Sequence, residues 1–285
     1  YALTVFTAQE RKEWEPVIKE FEERTGWNVR VETGSAKEML SQLEKEEADW
    51  DVAFGVSADA LEEGKEYWQT GKDAWTGYSA VSFVILYNTN VVTYRELPTG
   101  WDSLLEPRWK GRVAVPDPLK SDMAASVLTE AAKNSEKEEF LDLLAENMQY
   151  QMPETFKEVE QGISDGRYSI GVTSEEAAKA MLAAGQDVDY IDPEEGECFF
   201  EDGTAIRKRT PNLDASEAFV TYTTCDDTKW LLRTQLLRQP AEDVSAENDR
   251  SDEELKQRYS RQQEILNIWK LIMEEKTGPA HEQEQ

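Results

Sequence analysis

The spacing of apolar residues alternates between two periods over the first 60 residues. Apolar positions from Trp14 to Phe21 recur at the spacing of one helix face, which predicts a helix from Glu10 to Arg24. A second helix is predicted over residues 36–47, and short apolar or alternating runs predict strands over residues 3–6, 27–31 and 52–54. This β-α-β-α-β order is typical of a mostly parallel sheet flanked by helices.

The same alternation starts again after residue 112. Strands are predicted over residues 113–115, 168–172 and 188–191, and helices from about residue 122, over residues 136–148, after residue 153 and over residues 174–184. Residues 75–88 form an extended run, and Asp202-Gly203 is typical of a hairpin turn between strands over residues 198–201 and 204–207. Helices follow from about residues 214 and 228 and over residues 252–276, and the tail to residue 285 is expected to be mobile.

Size and composition favour two folded lobes. Single cores rarely grow much beyond about 250–300 residues, and this chain has 285. Hydrophobic residues make up 39% of it and aromatic residues 10%, which is enough to build real cores and excludes global disorder.

The charge balance limits the partners. The formal net charge is −28, so the surface repels the phosphate backbone of nucleic acids and anionic lipid headgroups. No apolar run approaches the length of a membrane-spanning helix. The sequence opens without Met or a signal segment, and we expect that a leader has been removed. The two cysteines, Cys198 and Cys225, either form one disulfide or remain two packed thiols.

Several predicted strands end in small or hydroxyl-bearing residues directly before a helix. Ligands of open α/β sheets collect beyond the carboxyl ends of the strands, where free N–H groups at helix starts favour an anion. The candidate ligand-binding residues at these joints are Thr7, Ala8, Gln9, Ser35, Ala36, Ser57, Ser121, Asp122, Thr173, Ser174 and Glu175.

Helix capping is the alternative explanation for these hydroxyls. Ser35, Ser135, Thr173 and Ser251 each stand three residues before a glutamate, which is the spacing of a capping box. Taken singly, each is more often a cap than a ligand contact. Ser35 and Thr173 differ from the other two because they come directly after a predicted strand.

Residues for enzymatic catalysis are scarce. The only histidine, His281, lies in the C-terminal tail, so a Ser-His or Cys-His pair is not expected. The chain has no Walker loop and no Gly-x-Gly-x-x-Gly motif. We therefore expect neither an enzyme nor a resident cofactor or metal.

At this level of detail the sequence resembles the extracellular solute-binding proteins of ABC transporters. The stretch from Leu104 to Gly111, Leu-Leu-Glu-Pro-Arg-Trp-Lys-Gly, is the most specific part of the resemblance. Further stretches that follow in the order of the family are residues 3–8, 16–26, 51–55, 75–79, 87–89, 97–98, 117–121 and 168–178. The closest branch binds ferric iron, phosphonates and sugar phosphates.

The resemblance implies an α/β protein with the two-lobed type II periplasmic-binding fold. Each lobe would be a mostly parallel sheet flanked by helices, and two crossover segments would join them. Lobe one would comprise residues 1–86 and 197–247, and lobe two residues 87–196 and 248–285. Such a protein is a monomeric, non-enzymatic receptor that closes on its solute and delivers it to an ABC membrane permease. It would lie outside the cytoplasm, in a periplasm or as a cell-surface lipoprotein.

The resemblance also bears on the ligand. Iron-binding members carry His or Gln in the first loop, which Gln9 matches, and a tyrosine pair where this chain has Thr173 to Glu176. Anion-binding members would place contacts at Ser35, Ala36, Ser121 and Thr173, and Asp122 would bind a sugar hydroxyl or an amine. A small anionic solute, either a sugar phosphate or a phosphonate, is therefore the expected ligand.

Two alternatives stay open. A receptor for a metal ion or a cationic ligand is suggested by Asp122, Glu175 and Glu195. The other alternative is a carboxylate-based enzyme, or a sensor domain that signals without transport, on the same scaffold.

Overall fold

The computed structural model describes residues 2–69, 73–244 and 251–277. The chain divides into two compact units: unit 1 comprises Tyr1–Ala80 and Glu201–Ser260, and unit 2 comprises Val81–Phe200 and Arg261–Gln285. The family resemblance places the boundaries between the two lobes after residue 86 and after residue 196. The boundary expected after residue 247, and the tail over residues 278–285 with His281, lie outside the described residues.

Unit 1 begins with the alternation that the apolar pattern predicts. Its first elements are β1 (Leu3–Thr7), α1 (Arg11–Thr25), β2 (Val29–Thr33), α2 (Ala36–Glu44), β3 (Val52–Ser57) and α3 (Ala58–Glu63). It also holds the start of β4 (Thr76–Asn88), the end of β8 (Cys198–Ile206), α8 (Leu213–Thr223), α9 (Asp226–Leu231), β9 (Gln239–Pro240), α10 (Ala241–Val244) and the start of α11 (Asp252–Thr277).

Three parallel strands of unit 1 end at one edge of its sheet. Strand β1 pairs in parallel with β2, where Thr7 stands opposite Thr33, and with β3, where Thr7 stands opposite Phe54. Strand β8 pairs with β3 in the antiparallel direction. The joints after β1, β2 and β3 therefore lie side by side, as expected at the carboxyl ends of parallel strands.

Helix α1 shows how directly the sequence determines local structure. Its buried residues are Val17, Ile18 and Phe21, the apolar face that the spacing predicts. Gly26 ends the helix with φ of 74°, a left-handed conformation that glycine adopts without a Cβ penalty. Its N–H donates to the Glu22 carbonyl at 2.8 Å, which satisfies one of the last free carbonyls.

Aromatic side chains build the core of unit 1. Phe219 of α8 lies 5.0 Å from Phe21 and 5.3 Å from Phe54 between ring centroids, both near perpendicular. A second cluster surrounds Trp50 and Trp68, whose rings lie 6.2 Å apart. Edge-to-face contacts of this kind add stabilisation beyond the apolar area that they bury.

The hairpin expected at Asp202-Gly203 is wrong, because β8 runs without a break from Cys198 to Ile206. Asp202 is fully buried and accepts hydrogen bonds, so it does not occupy an exposed turn. A Cβ at Gly203 would lie 2.7 Å from the Thr76 carbonyl oxygen. Glycine is therefore needed here because two backbones lie close together, and not because the chain turns.

Unit 2 repeats the alternation of strands and helices. Its elements are most of β4, then β5 (Val113–Ala114), α4 (Asp122–Asn134), α5 (Phe140–Asn147), α6 (Phe156–Ser164), β6 (Ile170–Ser174), α7 (Glu175–Ala183) and β7 (Val188–Ile191), with the start of β8 and the end of α11. Strand β5 pairs with β6 in parallel. Strand β4 pairs with β6 and β7 in the antiparallel direction, so unit 2 has more antiparallel pairing than expected.

The core of unit 2 surrounds three tryptophans. Trp101 and Trp109, from the stretch that carries the family resemblance, are buried with Phe140 of α5. Trp269 and Ile272 of α11 belong to the same core, whereas the start of that helix, up to Ser260, belongs to unit 1.

One predicted cap in unit 2 is wrong. The Ser135 hydroxyl donates to the Asp102 carboxylate, and the Glu136 N–H donates to Asp102 Oδ2 at 3.3 Å. Residues 135–136 are thus held outside the helix, and α5 begins only at Phe140. The capping box expected between Ser135 and Glu138 does not form, because the Ser135 N–H donates to the Ala131 carbonyl oxygen and the Ser135 Oγ accepts from the Lys137 N–H instead.

Cys198, which is buried, and Cys225, which is partly buried, do not form a disulfide. Of the two alternatives open from the sequence, this structure has two packed thiols. Across the ranges 2–69, 73–244 and 251–277, no helix has the length and apolar character needed to cross a bilayer.

Replacing Phe219 by alanine is expected to lower the free energy of unfolding by about 3–5 kcal/mol, because it removes a ring at the centre of the unit 1 core. Leu213→Ala on the same helix is the control, since Leu213 is 38% exposed and should cost less than about 1 kcal/mol. Urea unfolding measures both, and equal losses would contradict the central position of Phe219.

Candidate functional site

Six of the predicted ligand-binding residues lie at the sheet edge of unit 1 where β1, β2 and β3 end. They are Thr7, Ala8, Gln9, Ser35, Ala36 and Ser57. The Gly34 N–H donates to the Thr7 carbonyl oxygen at 3.1 Å, which joins the ends of β1 and β2. The structure therefore brings these six residues to one edge of unit 1.

Ser35 is a helix cap. Its Oγ accepts from the Glu38 N–H at 3.2 Å and donates to Glu38 Oε2 at 3.1 Å, and the Ser35 N–H donates to the same oxygen at 2.7 Å. The predicted capping box is thus confirmed. Because the Ser35 hydroxyl hydrogen is directed to Glu38, a ligand would have to displace that carboxylate to use it. Ala36, the first residue of α2, is buried.

Ser57 ends β3 and is buried at the same edge. It precedes α3 but makes no side-chain capping bond to that helix. In the β3–β8 pairing, Ser57 stands opposite Asp202. A carboxylate therefore lies beside the strand ends of unit 1.

Gln9 binds that carboxylate. Its Nε2 donates to Asp202 Oδ2 at 3.0 Å, and its backbone N–H donates to Thr7 Oγ1 at 3.2 Å. The side chain is only 8% exposed, and Oε1 accepts no hydrogen bond from the described residues. Gly55 makes room for it, because a Cβ at Gly55 would lie 2.4 Å from Gln9 Cδ.

Asp202 is the centre of a buried polar network that the sequence did not reveal. Its Oδ1 accepts from the Ser79 N–H at 3.1 Å and from Ser79 Oγ at 2.7 Å. Its Oδ2 accepts from Arg238 Nη1 at 2.7 Å as well as from Gln9. Arg238 Nη2 in turn donates to Glu13 Oε1 at 2.8 Å. The sequence carries no signal for this role, because Arg233 also follows two leucines and its side chain is half-exposed.

The ionisable groups of this network shift one another's pKa. Burial raises the pKa of Asp202 above its ordinary value, and Arg238, Ser79 and Gln9 oppose that rise. Burial also acts to raise the pKa of Glu13, but Arg238 more than offsets it and holds that pKa below its ordinary value. The two carboxylates raise the pKa of Arg238 despite its burial, so the guanidinium stays charged.

In unit 2, Thr173 is buried within β6 and its Oγ1 donates to Glu160 Oε1 at 2.9 Å. The capping box expected between Thr173 and Glu176 is wrong, because Ser174 is the residue that caps α7. Thr173 therefore directs its hydroxyl hydrogen to a carboxylate of α6.

Ser121 and Ser174 cap helices in unit 2 and retain a donor. Ser121 Oγ accepts from the Ala124 N–H at 3.2 Å, and Ser174 Oγ accepts from the Ala177 N–H at 3.2 Å. A hydroxyl has one hydrogen to donate besides its lone pairs. Since each cap uses a lone pair, both hydroxyls can still donate to an anion. Asp122 follows Ser121 as the first residue of α4.

Glu175 lies in a polar cluster beside Ser174. Its carboxylate accepts from Ser82 Oγ at 3.2 Å and from the Tyr190 hydroxyl at 3.4 Å, and it pairs with Lys179 Nζ at 2.9 Å. Burial and the neighbouring Glu175 raise the pKa of Tyr190. The carboxylate is thus largely compensated by its own unit. Within the three described ranges, no three His, Cys, Asp or Glu residues form a group suited to a metal ion.

The predicted residues thus fall into two sets, one in each unit. Unit 1 contributes Thr7 to Gln9, Ser35, Ala36 and Ser57, and unit 2 contributes Ser121, Asp122 and Thr173 to Glu175. Ser35 and Thr173, which the sequence favoured, have directed their hydroxyl hydrogens to glutamates. Ser121 and Ser174 have not, within the contacts of the described chain.

Comparisons with solved structures identify the fold. The ferric binding protein from Campylobacter jejuni superimposes with a TM-score of 0.75 at 17% identity, over 95% of this chain and 99% of that one. The periplasmic binding protein AfuA from Actinobacillus pleuropneumoniae, with fructose-6-phosphate bound, gives 0.69 at 16% identity, over 84% and 83% of the two chains. These likenesses support the expected type II periplasmic-binding fold.

Sequence comparisons identify the family. Iron uptake protein A1 of Synechocystis is 23% identical over an alignment of 235 positions, and the match covers 71% of this chain and 65% of that relative. The match therefore spans less than two thirds of that relative's length. The family model described as "Bacterial extracellular solute-binding protein" matches residues 55–263. Because that match covers most of the sequence, the chain belongs to the family of bacterial extracellular solute-binding proteins.

Proposed function

We propose that this protein is the solute receptor of an ABC importer and that its solute is a small organic anion, a sugar phosphate or a phosphonate. The observation that carries the choice of an anion is the pair of hydroxyls at Ser121 and Ser174. Each stands at the N-terminus of a helix and has a hydrogen left to donate. Donors at a helix start suit a phosphoryl oxygen, because the helix dipole also favours negative charge there.

The acidic surface does not oppose this proposal. The net charge of −28 could act on an anion only over long distances. At physiological ionic strength, salt screens such interactions beyond about 8 Å. Hydroxyl and N–H donors act within hydrogen-bond distance, where charge-assisted bonds to an anion are strong. Local donors can therefore hold an anion within a chain that is acidic overall.

The candidate residues take different roles in this proposal. Ser121 and Ser174 contact the anionic group, and Asp122 lies next to Ser121 in the chain. Ser35 and Thr173 organise their helices and strands through Glu38 and Glu160. Thr7, Ala8, Ala36 and Ser57 shape the strand ends of unit 1, and Gln9 offers a polar contact there. Glu175 keeps its Lys179 and Tyr190 partners.

The family supports the wider proposal about partners and location. We propose an extracytoplasmic protein, in a periplasm or anchored as a lipoprotein, that hands its solute to a membrane permease. It would act as a monomer and release the solute unchanged. The fructose-6-phosphate bound to AfuA, a structural neighbour, is the kind of ligand intended.

Ferric iron is the second candidate. Two relatives are named for iron, the uptake protein of Synechocystis and the ferric binding protein of Campylobacter jejuni. One observation in this chain favours it: Glu175 and the Tyr190 hydroxyl lie 3.4 Å apart in unit 2. A carboxylate beside a phenol offers hard oxygen ligands, the type that suits a highly charged cation.

Thermal unfolding with a panel of ligands should separate the two candidates. A ligand present at 100 times its Kd is expected to stabilise the fold by about 2.7 kcal/mol. We expect fructose 6-phosphate or 2-aminoethylphosphonate to raise the Tm, and ferric citrate to leave it unchanged. A rise with ferric citrate alone would favour the iron receptor. Chromatography of the recovered ligand tests whether it is released intact, and a consumed ligand would indicate an enzyme.

Substitution of Ser174 and Ser121 by alanine tests their proposed contact with the anion. Each variant should bind the anion that raises the Tm roughly 10- to 100-fold more weakly, because a hydrogen bond to a charged group contributes about 1.5–3 kcal/mol. The loss of the cap should also lower stability by about 0.5–2 kcal/mol. Isothermal titration and urea unfolding measure the two effects separately.

Thr155→Ala is the matched control for Ser174→Ala. Thr155 caps α6 of the same unit and accepts from the Glu158 N–H at 3.2 Å, the same distance as in the Ser174 cap. It follows a loop and not a strand, so its replacement should lower stability alone. If the two substitutions affect binding equally, Ser174 is only a helix cap and does not contact the anion.

A further inference from the structure

The carboxyl end of α2 in unit 1 carries an excess of negative charge. Glu44, Glu46, Glu47 and Asp49 lie close together in the sequence here, and Lys45 is the only basic residue among them. Helix α2 ends at Glu44, and its last turn contains no basic residue. The carboxyl end of a helix has a partial negative charge and favours cations. The first three carboxylates, called the α2-end carboxylates below, therefore repel the helix end as well as one another.

The α2-end carboxylates lack a cationic partner within the described chain. All three are exposed, and none forms an ion pair or a side-chain hydrogen bond with a described residue. Asp49 does have a partner, but Arg30 Nη2 lies 3.2 Å from Glu32 Oε1 as well as 3.2 Å from Asp49 Oδ2. Ions from the solution are therefore the main source of compensating charge at this helix end.

Ion pairs elsewhere in unit 1 show the same shortage of cations. In several of them one basic side chain serves two carboxylates, so each group as a whole remains negative. These groups are Arg24 with Glu20 and Asp227, Arg30 with Glu32 and Asp49, and Lys65 with Glu62 and Asp252. The basic side chains are thus already in use, and the excess of carboxylates behind the net charge of −28 stays uncompensated.

Salt affects the short attractions and the longer repulsions differently. The screening length is about 10 Å in 0.1 M salt and about 3 Å in 1 M salt. In 1 M salt, the repulsion between carboxylates several ångströms apart is therefore largely screened. The N–O distances in these ion pairs are 2.6–3.2 Å, so the pairs keep part of their attraction. With a net charge of −28, the loss of repulsion is the larger effect.

We infer that dissolved salt is a structural requirement of this protein, whose folded state becomes more stable as the ionic strength rises toward about 1 M. The α2-end carboxylates are one segment at which this requirement is concentrated. Exposed ion pairs alone would give the opposite sign, because salt weakens them. The inference does not depend on the identity of the solute, and it describes a protein suited to a saline medium.

Urea unfolding of the full chain at a series of KCl concentrations tests the requirement. Urea carries no charge, so KCl sets the ionic strength. The folding equilibrium constant should rise at least about 10-fold between about 0.05 M and about 1 M KCl, because folding brings the excess carboxylates together. A constant that stays unchanged or falls over this range would overturn the inference.

The substitution Glu44→Gln tests the contribution of the α2 end. It removes one negative charge from the end of the helix and introduces a residue of similar helix propensity. At about 0.05 M KCl its folding equilibrium constant should exceed that of the unsubstituted protein about 2- to 5-fold, the usual size of an interaction between a charge and a helix end. The gain should disappear at about 2 M KCl, where the charge is screened.

Glu15→Gln is the matched control. Glu15 lies on α1 of the same unit, and its Oε1 pairs with Arg11 Nη2 at 2.6 Å. This substitution removes the same charge but also an attraction, so it should bring no gain at low salt. General effects of KCl on hydration act alike on both variants and cancel in the comparison. Equal results for the two substitutions, or a gain from Glu44→Gln that persists at about 2 M KCl, would overturn the role assigned to the α2 end.

Discussion

Arg238 lies between Glu13 and Asp202 inside unit 1, and the polar end of its sheet depends on this pairing. The three side chains come from α1, from β8 and from the segment before β9. Removing one partner of a buried ion pair typically costs about 3–5 kcal/mol, because the other charge is left uncompensated. Gln9 bonds to Asp202, and Ser57 stands opposite it, so the ends of β1 and β3 are arranged around this one guanidinium.

Unit 2 places polar groups at its strand ends by other means. Thr173 bonds to Glu160 of a flanking helix, and Ser121 and Ser174 use only lone pairs to cap α4 and α7. No buried arginine orders these groups within the described part of unit 2. The two units therefore order their strand ends by different means, through a buried ion pair in unit 1 and through helix caps in unit 2.

Local pattern predicted most of the fold, and long-range partners account for what it missed. The face of α1 and its end at Gly26 follow from spacing and from one glycine. Asp202-Gly203 has the composition of a turn, yet it lies in a strand because Arg238 and Ser79 supply its partners from far along the chain. Likewise, the sequence identified the strand-end hydroxyls but did not indicate that Glu160 would bind Thr173.

The contact between Gly55 and Gln9 constrains how this sequence can diverge. Any side chain at residue 55 would occupy the space of the Gln9 amide. A substitution there therefore has to be matched by a smaller or differently directed residue at position 9. Positions 9 and 55 are therefore coupled by steric contact, and the size of one limits the size of the other.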